Sequence, residues 1–487
     1  MKTTLAALTL ALASLTSLAA HGLEERRSTA SDQTALAVTI YNGDLALVKD
    51  ARKVKLGNGE NLLAWREVSA RMQPETALLH AMDNGPLTLL EQNFNFDLLS
   101  PQSLLEKSVG DAVRVIRTQP ITGAEFVESA TVLAANGGVV LQFIDRVETG
   151  IPGRLAFSKV PDELKDRPTL SMLIKTEGPS NPYQTAERSL ELSYLTKGLS
   201  WKADYVAELS DKEDRMDLNG WVTLTNTSGT AYPNARLQLV AGEVNRVAPE
   251  RRPVPMMAKA LAMAEATPDM QEEGLFEYHL YTLSRHTTLG DNQTKQVALL
   301  SAQDVKITKE YRLYGGNWYY SGQYSDLGQK LKPGVYVEFS NKGNKSGNSL
   351  GIPLPKGIVR VYKKDSTGRA QFIGEDRIDH TAKGEQVRLK LGEAFDITAD
   401  KKQTDYQKLA AGFNARGGVI ETAYQLEIRN VKAEPVTVKV VEPMPSDWQM
   451  LQESHAHKKD GAHTATWNIH VPAEGKTTLT WRVRTKY

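Results

Sequence analysis

The sequence contains no cysteine, and this absence excludes disulfides, thiol nucleophiles, zinc ribbons and lipid attachment through an N-terminal cysteine. Without disulfides, a chain of this composition depends on core packing for its stability. Charge of one sign is also lacking, because 59 Lys and Arg against 58 Asp and Glu give a net charge of +1. A nucleic-acid binder needs a basic surface that releases counterions from phosphate, so we predict no nucleic-acid partner.

Common catalytic and cofactor motifs are scarce. The sequence has neither a His-Glu-x-x-His metalloprotease motif nor a phosphate-binding Gly-x-x-x-x-Gly-Lys loop. We therefore assign no catalytic residue and no cofactor. Carboxylates are plentiful, which leaves open a hydrolase whose paired acids are close only in space.

The only long apolar run is at the N-terminus. Lys2 precedes an apolar stretch from Leu5 to Leu18, and small residues follow up to Ala20. This pattern predicts a secretory signal peptide over residues 1–20, with no transmembrane helix after its removal. Residues 21–33 show no periodicity and are predicted to form a disordered leader.

The strongest structural signal runs from Ser189 to Glu243 and predicts four β-strands. Within it Trp201, Ala203 and Tyr205 alternate with polar residues, the period of two expected for a half-buried strand. Ala207 and Leu209 continue this inner face, whereas Lys202, Asp204 and Glu208 are assigned to the other face.

Several segments of the chain share their residues with one family. These segments are Tyr194, Gly198-x-x-Trp201-x-x-x-Tyr205, Leu-Thr-Asn226-Thr-Ser-Gly229, Leu239-x-x-Gly242, Tyr281-x-Leu-x-Arg285, Gly351-x-Pro-Leu-Pro-x-Gly357, Phe372-x-Gly-Glu375 and Asp379-His380-Thr381. On them, the chain resembles exported bacterial proteins related to the mucoidy inhibitor A group, whose C-terminal region is a domain of unknown function. The resemblance implies a β-rich exported protein and brings no catalytic residues.

Turn signals and alternation extend the β prediction to the rest of the chain. We predict a mainly β fold with several β-sandwich or small barrel domains, immunoglobulin-like in the C-terminal half, and few short helices. An Asn42-Gly43 turn indicates an early hairpin, and one short helix is expected near Pro101–Lys107. The predicted parts are an N-terminal domain (34–178), a central sandwich (186–330) with a flexible insertion (247–271), and a C-terminal sandwich region (331–487).

Three alternating strands end at an asparagine. Asn226, Asn341 and Asn430 each follow such a strand and precede a polar loop. Asparagine can bond its own backbone and tolerate the left-handed region, so a structural role suffices.

The histidines near the C-terminus are the best metal candidates. His455 and His457, two apart on an expected strand, would point the same way beside Glu453. If Asp460-Gly461 is a two-residue turn, Lys458 pairs with His463, which places His463 on the opposite face. We therefore predict no metal site.

The candidate binding site lies in a glycine-rich segment from Gly315 to Tyr324. Its members are four aromatic residues and two amides: Trp318, Tyr319, Tyr320, Tyr324, Asn317 and Gln323. Aromatic rings with nearby amides suit the apolar faces and hydroxyls of sugars. The competing interpretation is that these rings fold back to cover a neighbouring domain.

From these patterns we expect an exported envelope protein, periplasmic or outer-membrane associated in a Gram-negative bacterium, that acts as a binding or scaffolding module. Its expected partner is an envelope polysaccharide or another envelope protein. The alternatives are an envelope hydrolase with paired carboxylates and an outer-membrane β-barrel, since the last strand, Leu479–Tyr487, alternates apolar or neutral residues with basic ones.

Overall fold

The computed structural model describes residues 25–161, 163–177, 184–242, 244–245, 270–343, 350–409, 418–445 and 447–486. The predicted signal peptide lies outside these residues, as does most of the predicted insertion, whose last two residues belong to a strand that begins at Met270. The predicted disordered leader is wrong from Glu25 onward, because Glu25–Ser28 forms a strand and Ala30–Asp32 a 3-10 helix.

The mainly β prediction is confirmed. The described residues contain one α-helix, Pro101–Glu106 (α1), and two further 3-10 helices, Pro74–Thr76 and Asn317–Tyr320. The strands up to residue 196 are β1 (Glu25–Ser28), β2 (Gln33–Tyr41), β3 (Leu45–Leu56), β4 (Gly59–Arg66), β5 (Leu78–Ala81), β6 (Leu87–Asn95), β7 (Ala112–Thr118), β8 (Glu125–Ala134), β9 (Val140–Gln142), β10 (Val147–Thr149), β11 (Arg154–Ala156), β12 (Thr169–Thr176) and β13 (Ala186–Thr196).

Further strands follow from residue 199. They are β14 (Leu199–Leu209), β15 (Arg215–Asn226), β16 (Tyr232–Ala241), β17 (Met270–Leu275), β18 (Tyr278–Leu283), β19 (Thr287–Leu289), β20 (Gln293–Tyr314), β21 (Gly328–Leu331), β22 (Gly334–Ser340), β23 (Gly357–Lys364), β24 (Ala370–Ile378), β25 (Gln386–Glu393), β26 (Ile397–Leu409), β27 (Val419–Asn430), β28 (Val436–Pro443), β29 (Asp447–Glu453), β30 (Lys458–Lys459), β31 (Thr464–Val471) and β32 (Gly475–Lys486).

Internal contacts divide the chain into two compact units. The first holds the described residues within 1–38, 47–198 and 227–235, and the second those within 39–46, 199–226 and 236–487. The predicted three-part division of the chain stays a prediction.

The first unit contains a four-stranded sheet, β1-β4-β12-β6, and a five-stranded sheet, β10-β9-β8-β7-β11. The five-stranded sheet has its own small core, to which Leu105 of α1 contributes. In a further sheet β3 lies between β2 and β13, and β5 pairs with β13. The predicted hairpin of β2 and β3 is confirmed, but its positive φ falls on Asp44 (48°) and not on the Asn-Gly pair.

The second unit contains a sandwich of two sheets around a large apolar core. A ten-stranded sheet runs β24-β23-β14-β15-β20-β28-β31-β30, with β22 pairing with both β20 and β25. The five-stranded sheet β21-β26-β27-β32-β29 supplies the facing side chains, and both sheets contribute to the same apolar cluster. This two-sheet packing confirms the predicted sandwich in the C-terminal half.

The predicted inner face of β14 is confirmed. Trp201, Ala203 and Tyr205 are buried, and Lys202 on the other face is exposed. Asp204 departs from the expectation because it is buried as well. Its carboxylate accepts hydrogen bonds from the Thr223 hydroxyl (2.9 Å) and Arg360 (3.2 Å), which cover that position.

The shared sequence segments meet around β14. The hydroxyl of Tyr205 donates to the carbonyl of Pro355 (2.7 Å), and that of Tyr281 donates to the carbonyl of Pro353 (2.9 Å). A Cβ at Gly357 would lie 2.4 Å from the Ala203 carbonyl oxygen, so the two strands approach closely there. These segments therefore have a packing role.

The three asparagines that end strands are buried and join neighbouring loops. The Asn226 amide donates to the carbonyl of Gly290 (2.9 Å), that of Asn341 to Ile352 (2.7 Å), and that of Asn430 to Pro472 (3.0 Å). Their structural role is thus clear, although the bonds cross between loops and none of the three has a positive φ.

Candidate functional site

The candidate segment Gly315–Tyr324 connects β20 to β21 in the second unit. Asn317–Tyr320 forms a single 3-10 turn, and Gly316 precedes it in an extended conformation. The structure divides the four predicted aromatics into two groups. Tyr319 and Tyr320 are buried in the core, whereas Trp318 remains 50% exposed and Tyr324 is half-buried.

The two accessible rings form an angled surface. Trp318 and Tyr324 lie 5.1 Å apart between centroids at 83°, and Trp318 meets Tyr319 at 4.4 Å and 69°. The side chains of Asn317 and Gln323 are exposed on the same segment. We call Asn317, Trp318, Gln323 and Tyr324 the Trp318 platform.

A buried ion pair lies beneath the platform. The Lys401 ammonium is 2.6 Å from Glu442 Oε1, and both side chains are only 2% exposed. The Tyr320 hydroxyl donates to Glu442 Oε2 at 3.1 Å. Burial lowers the pKa of Lys401, and the carboxylate of Glu442 partly offsets this effect. Burial, followed by the charge of Glu442, raises the pKa of Tyr320 well above its usual value.

Aromatic rings surround the buried ammonium. Lys401 Nζ lies 4.1 Å from the ring centroid of Tyr319, 5.0 Å from that of Trp481 and 5.6 Å from that of Tyr424. The negative faces of aromatic rings attract a cation, and the attraction grows when water is excluded. The rings and the carboxylate therefore replace the hydration that Lys401 loses on burial.

Hydrogen bonds fix the segment to the sheet below it. The Tyr424 hydroxyl donates to the Tyr319 carbonyl (2.9 Å), and Gln403 Oε1 accepts from the Tyr324 amide (2.6 Å). Gln403 Nε2 also donates to the carbonyl of Gly322 at 3.0 Å. These bonds anchor the turn and the return of the segment to β26 and β27.

Two glycines are required by close approaches. A Cβ at Gly315 would lie 2.1 Å from Glu442 Oε2, and a Cβ at Gly316 would lie 2.6 Å from the indole nitrogen of Trp318. Gly315 thus allows the chain to pass over the ion pair, and Gly316 allows the indole to fold against its own turn.

Among the described residues, three carboxylates are buried. These are Asp50, Asp204 and Glu442. Each faces a cation: Arg52 at 2.7 Å from Asp50, Arg360 at 3.2 Å from Asp204, and Lys401 at 2.6 Å from Glu442. Each of the three buried carboxylates is therefore engaged in an ion pair within the fold.

The sequence also contains the spacing Gly347-x-Ser349-x-Gly351, which matches a hydrolase nucleophile elbow. Ser349 lies outside the described residues. An elbow needs a helix directly after the serine, but residues 350–356 form no helix, and Leu354 makes a bridge with Thr381. The context of this spacing therefore differs from that of an elbow.

The C-terminal histidines lie in a hairpin whose predicted register is wrong. Lys458 pairs with Thr466 instead of His463, because the turn is longer than two residues. His455 and His457 precede the strand and do not lie on it. His457 Nδ1 contacts Glu453 Oε2 at 2.9 Å, and the described residues contain no group of three or more His, Cys, Asp or Glu that could hold a metal.

Lys401, Glu442, Gln403, Tyr424 and Trp481 were not predicted as site residues. A signal for two of them is present in the sequence. Lys401 is in phase with the buried Ile397 of β26, and Glu442 is in phase with the buried valines of β28. An alternating strand that places a charge on its apolar face predicts a buried charge.

None of the helices in the described part of the chain has the length and apolar character needed to cross a membrane.

Comparison with known proteins assigns the family of the chain. No curated protein matches the chain. The family model described as "Domain of unknown function (DUF4139)" matches residues 190–487, a region that includes the whole platform and its supports. Because this region is more than half of the sequence, the chain belongs to the DUF4139 family.

Proposed function

We propose that this protein is an exported component of the bacterial envelope that acts as a binding or scaffolding module, and that the Trp318 platform binds a polysaccharide. The half-exposed indole of Trp318, held on a fixed support, carries the proposal. An indole offers a broad apolar plane to the C–H face of a sugar ring. The Asn317 and Gln323 amides would then bond sugar hydroxyls.

The support beneath the platform favours binding. Tyr319 and Tyr320 are buried, and the bonds of Gln403 to Gly322 and Tyr324 fix the return of the segment. A surface ordered before its ligand arrives loses less conformational entropy on binding. In this arrangement Tyr319 and Tyr320 act as supports, whereas Trp318 and Tyr324 contact the ligand.

The proposed location rests on the N-terminal sequence. The apolar stretch and small residues of 1–20 have the pattern of a cleaved signal, and the resemblance to exported bacterial proteins agrees with it. An envelope protein would meet glycans in the periplasm or at the outer membrane.

The test compares two exposed aromatics of the second unit. Trp318→Ala removes the platform indole, and Phe372→Ala, at a site 55% exposed on β24, serves as the matched control. Wild type and both variants are incubated with isolated peptidoglycan and with a panel of soluble polysaccharides, and retention is measured by pull-down and affinity electrophoresis. Unchanged melting temperatures establish that the variants are folded.

We expect Trp318→Ala to weaken retention by at least about tenfold, as loss of a central aromatic contact does, and Phe372→Ala to leave it unchanged. Equal retention of wild type and Trp318→Ala on every glycan would refute the platform as the binding site. The appearance of new reducing ends during incubation would instead support the hydrolase alternative.

A further inference from the structure

The charges of the platform point to the class of glycan that it takes. No acidic or basic residue occurs between Arg312 and Asp326, so the whole segment that carries the platform is uncharged. Its exposed polar residues are all uncharged: Tyr314, Asn317, Ser321, Gln323 and Ser325. These groups donate and accept hydrogen bonds without charge, as sugar hydroxyls do.

The cation directly beneath the platform is already neutralised. Lys401 is buried, and Glu442 compensates its charge at 2.6 Å. An ammonium in this position is inaccessible to a carboxylate or sulfate on a ligand. It would also contribute little field at the surface, because the opposite charge lies beside it.

Three arginines of the sheet that contains Lys401 are paired too, whereas Lys402 of β26 is exposed. Arg482 lies 2.7 Å from Asp405, Arg484 lies 2.6 Å from Glu421, and Arg429 lies 3.4 Å from Asp400. A polyanion is bound through cations that are free to exchange their counterions for its charges. On this sheet these arginines are committed to carboxylates of the same sheet.

The angle between the platform rings adds a second constraint. Trp318 and Tyr324 lie at 83° to each other, so the two rings cannot both lie flat on one planar array of packed chains. They can contact two faces of a single chain that enters the corner between them. The geometry therefore suits a separate, hydrated chain.

From these observations we infer that the ligand of the Trp318 platform is a single chain of an uncharged glycan, bound by ring stacking and amide hydrogen bonds. This inference rests on the proposed function, since it specifies the substrate class of the same site. Recognition of this kind depends weakly on ionic strength, because no net charge is neutralised on binding.

Pairs of polymers that share a backbone, one neutral and one carboxymethylated, test the inference. Full-length mature protein is titrated with hydroxyethylcellulose and carboxymethylcellulose, with neutral and carboxymethylated starch, and with neutral and carboxymethylated soluble chitin. Each titration is run at low and at high sodium chloride. Trp318→Ala and Gly316→Ala are measured in parallel, the second because its Cβ would displace the indole while the surface residues remain.

We expect at least one neutral polymer to bind, with affinity changing less than about twofold between the two salt concentrations. Its carboxymethylated form should bind no more tightly, and both variants should weaken binding. Insoluble crystalline cellulose and chitin should retain less protein than their soluble forms.

Two results would overturn the inference in different ways. Tighter binding of a carboxymethylated polymer that falls about tenfold or more with salt, and that is lost in Trp318→Ala, would leave the platform intact but identify an anionic glycan. Absence of binding to every polymer, and to the envelope polysaccharides used above, would refute both the inference and the proposed function.

Discussion

Removing the charge of Glu442 is the sharpest test of the support beneath the platform. Glu442→Gln keeps the size of the side chain and an oxygen that can accept from Tyr320, but it leaves the Lys401 ammonium buried without a carboxylate. Both groups are only 2% exposed and 2.6 Å apart, so solvent cannot compensate the loss. Breaking a buried ion pair in this way costs about 3 to 5 kcal/mol of unfolding free energy.

A double-mutant cycle separates the pair from its surroundings. Lys401→Met leaves Glu442 buried alone and should cost a similar amount, whereas Lys401→Met with Glu442→Gln removes both charges and should lie within about 2 kcal/mol of wild type. The magnitude of the coupling free energy is then at least about 4 kcal/mol. Urea unfolding followed by tryptophan fluorescence measures it, since every tryptophan except Trp65 lies in the second unit.

The pH dependence of Lys401→Met provides an independent readout. In this variant the carboxyl of Glu442 is buried without a cation, and burial raises the pKa of such a group above its unfolded value of about 4.3. The folded variant then binds more protons than the unfolded chain between these two pKa values, so its stability falls as pH rises through that window. The deficit relative to wild type should be smaller at pH 5 than at pH 8.

Additive single substitutions would refute this reasoning, because they would mean that Lys401 and Glu442 are stabilised separately. Equal deficits of Lys401→Met at the two pH values would show that the charge of Glu442 carries no cost. Either result would also remove the reason to regard the ion pair as a fixed support for Trp318.

Three further predictions test other parts of the fold. Trp201→Ala should cost about 3 to 5 kcal/mol, since the indole is buried, whereas Lys202→Ala on the exposed face should cost less than about 0.5 kcal/mol; equal shifts in thermal unfolding would contradict the face assignment. Gly198→Ala should destabilise the first unit by more than about 1 kcal/mol in urea, because φ is +85° and the new Cβ would lie 2.7 Å from the Ser228 backbone; a neutral effect would mean that the loop relaxes freely. The pKa of Asp83 is lowered to about 2, chiefly by its hydrogen bonds from Arg188, so it contributes stability above its unfolded pKa that is lost as pH falls from about 4 to 2. Because Asp83 is partly exposed, this contribution is about 1 kcal/mol. Asp83→Asn should therefore make the free energy of unfolding depend less on pH between about 4 and 2. The same pH dependence in wild type and variant would show that Asp83 makes no such contribution.

Local patterns predicted the strands well. The alternation around Trp201 gave the correct inner face of β14, and the Asn42-Gly43 turn gave the correct hairpin. Both signals arise within a few residues, where side-chain period and backbone preference decide the structure. The structural role expected for the three asparagines holds, but their bonds reach other loops, which a local pattern does not predict.

Register and turn length were harder to predict. The C-terminal hairpin was given a two-residue turn at Asp460-Gly461, but Lys458 pairs with Thr466, and a hydrogen bond from the Asp460 amide to the Thr464 carbonyl closes a longer turn. In a hairpin the length of the turn sets the register, so an error in the predicted turn length shifts every pair of residues. The burial of Asp204 was not predicted for a related reason. Arg360, which covers its carboxylate, comes from a strand 156 positions away in sequence.

The buried pair of Lys401 and Glu442 shows which features of the site the sequence alone could and could not predict. Alternation alone places Lys401 on the apolar face of β26 and Glu442 on the apolar face of β28, so two buried charges could have been predicted. It cannot show that they meet, because the strands belong to different sheets whose faces come together only in the folded core. The contact between Lys401 and Glu442 determines which aromatic residues of the segment above it are buried. A buried ion pair needs a dry cover with a hydrogen-bond donor, which Tyr319 and Tyr320 supply, and once they are used in this way Trp318 is left facing solvent.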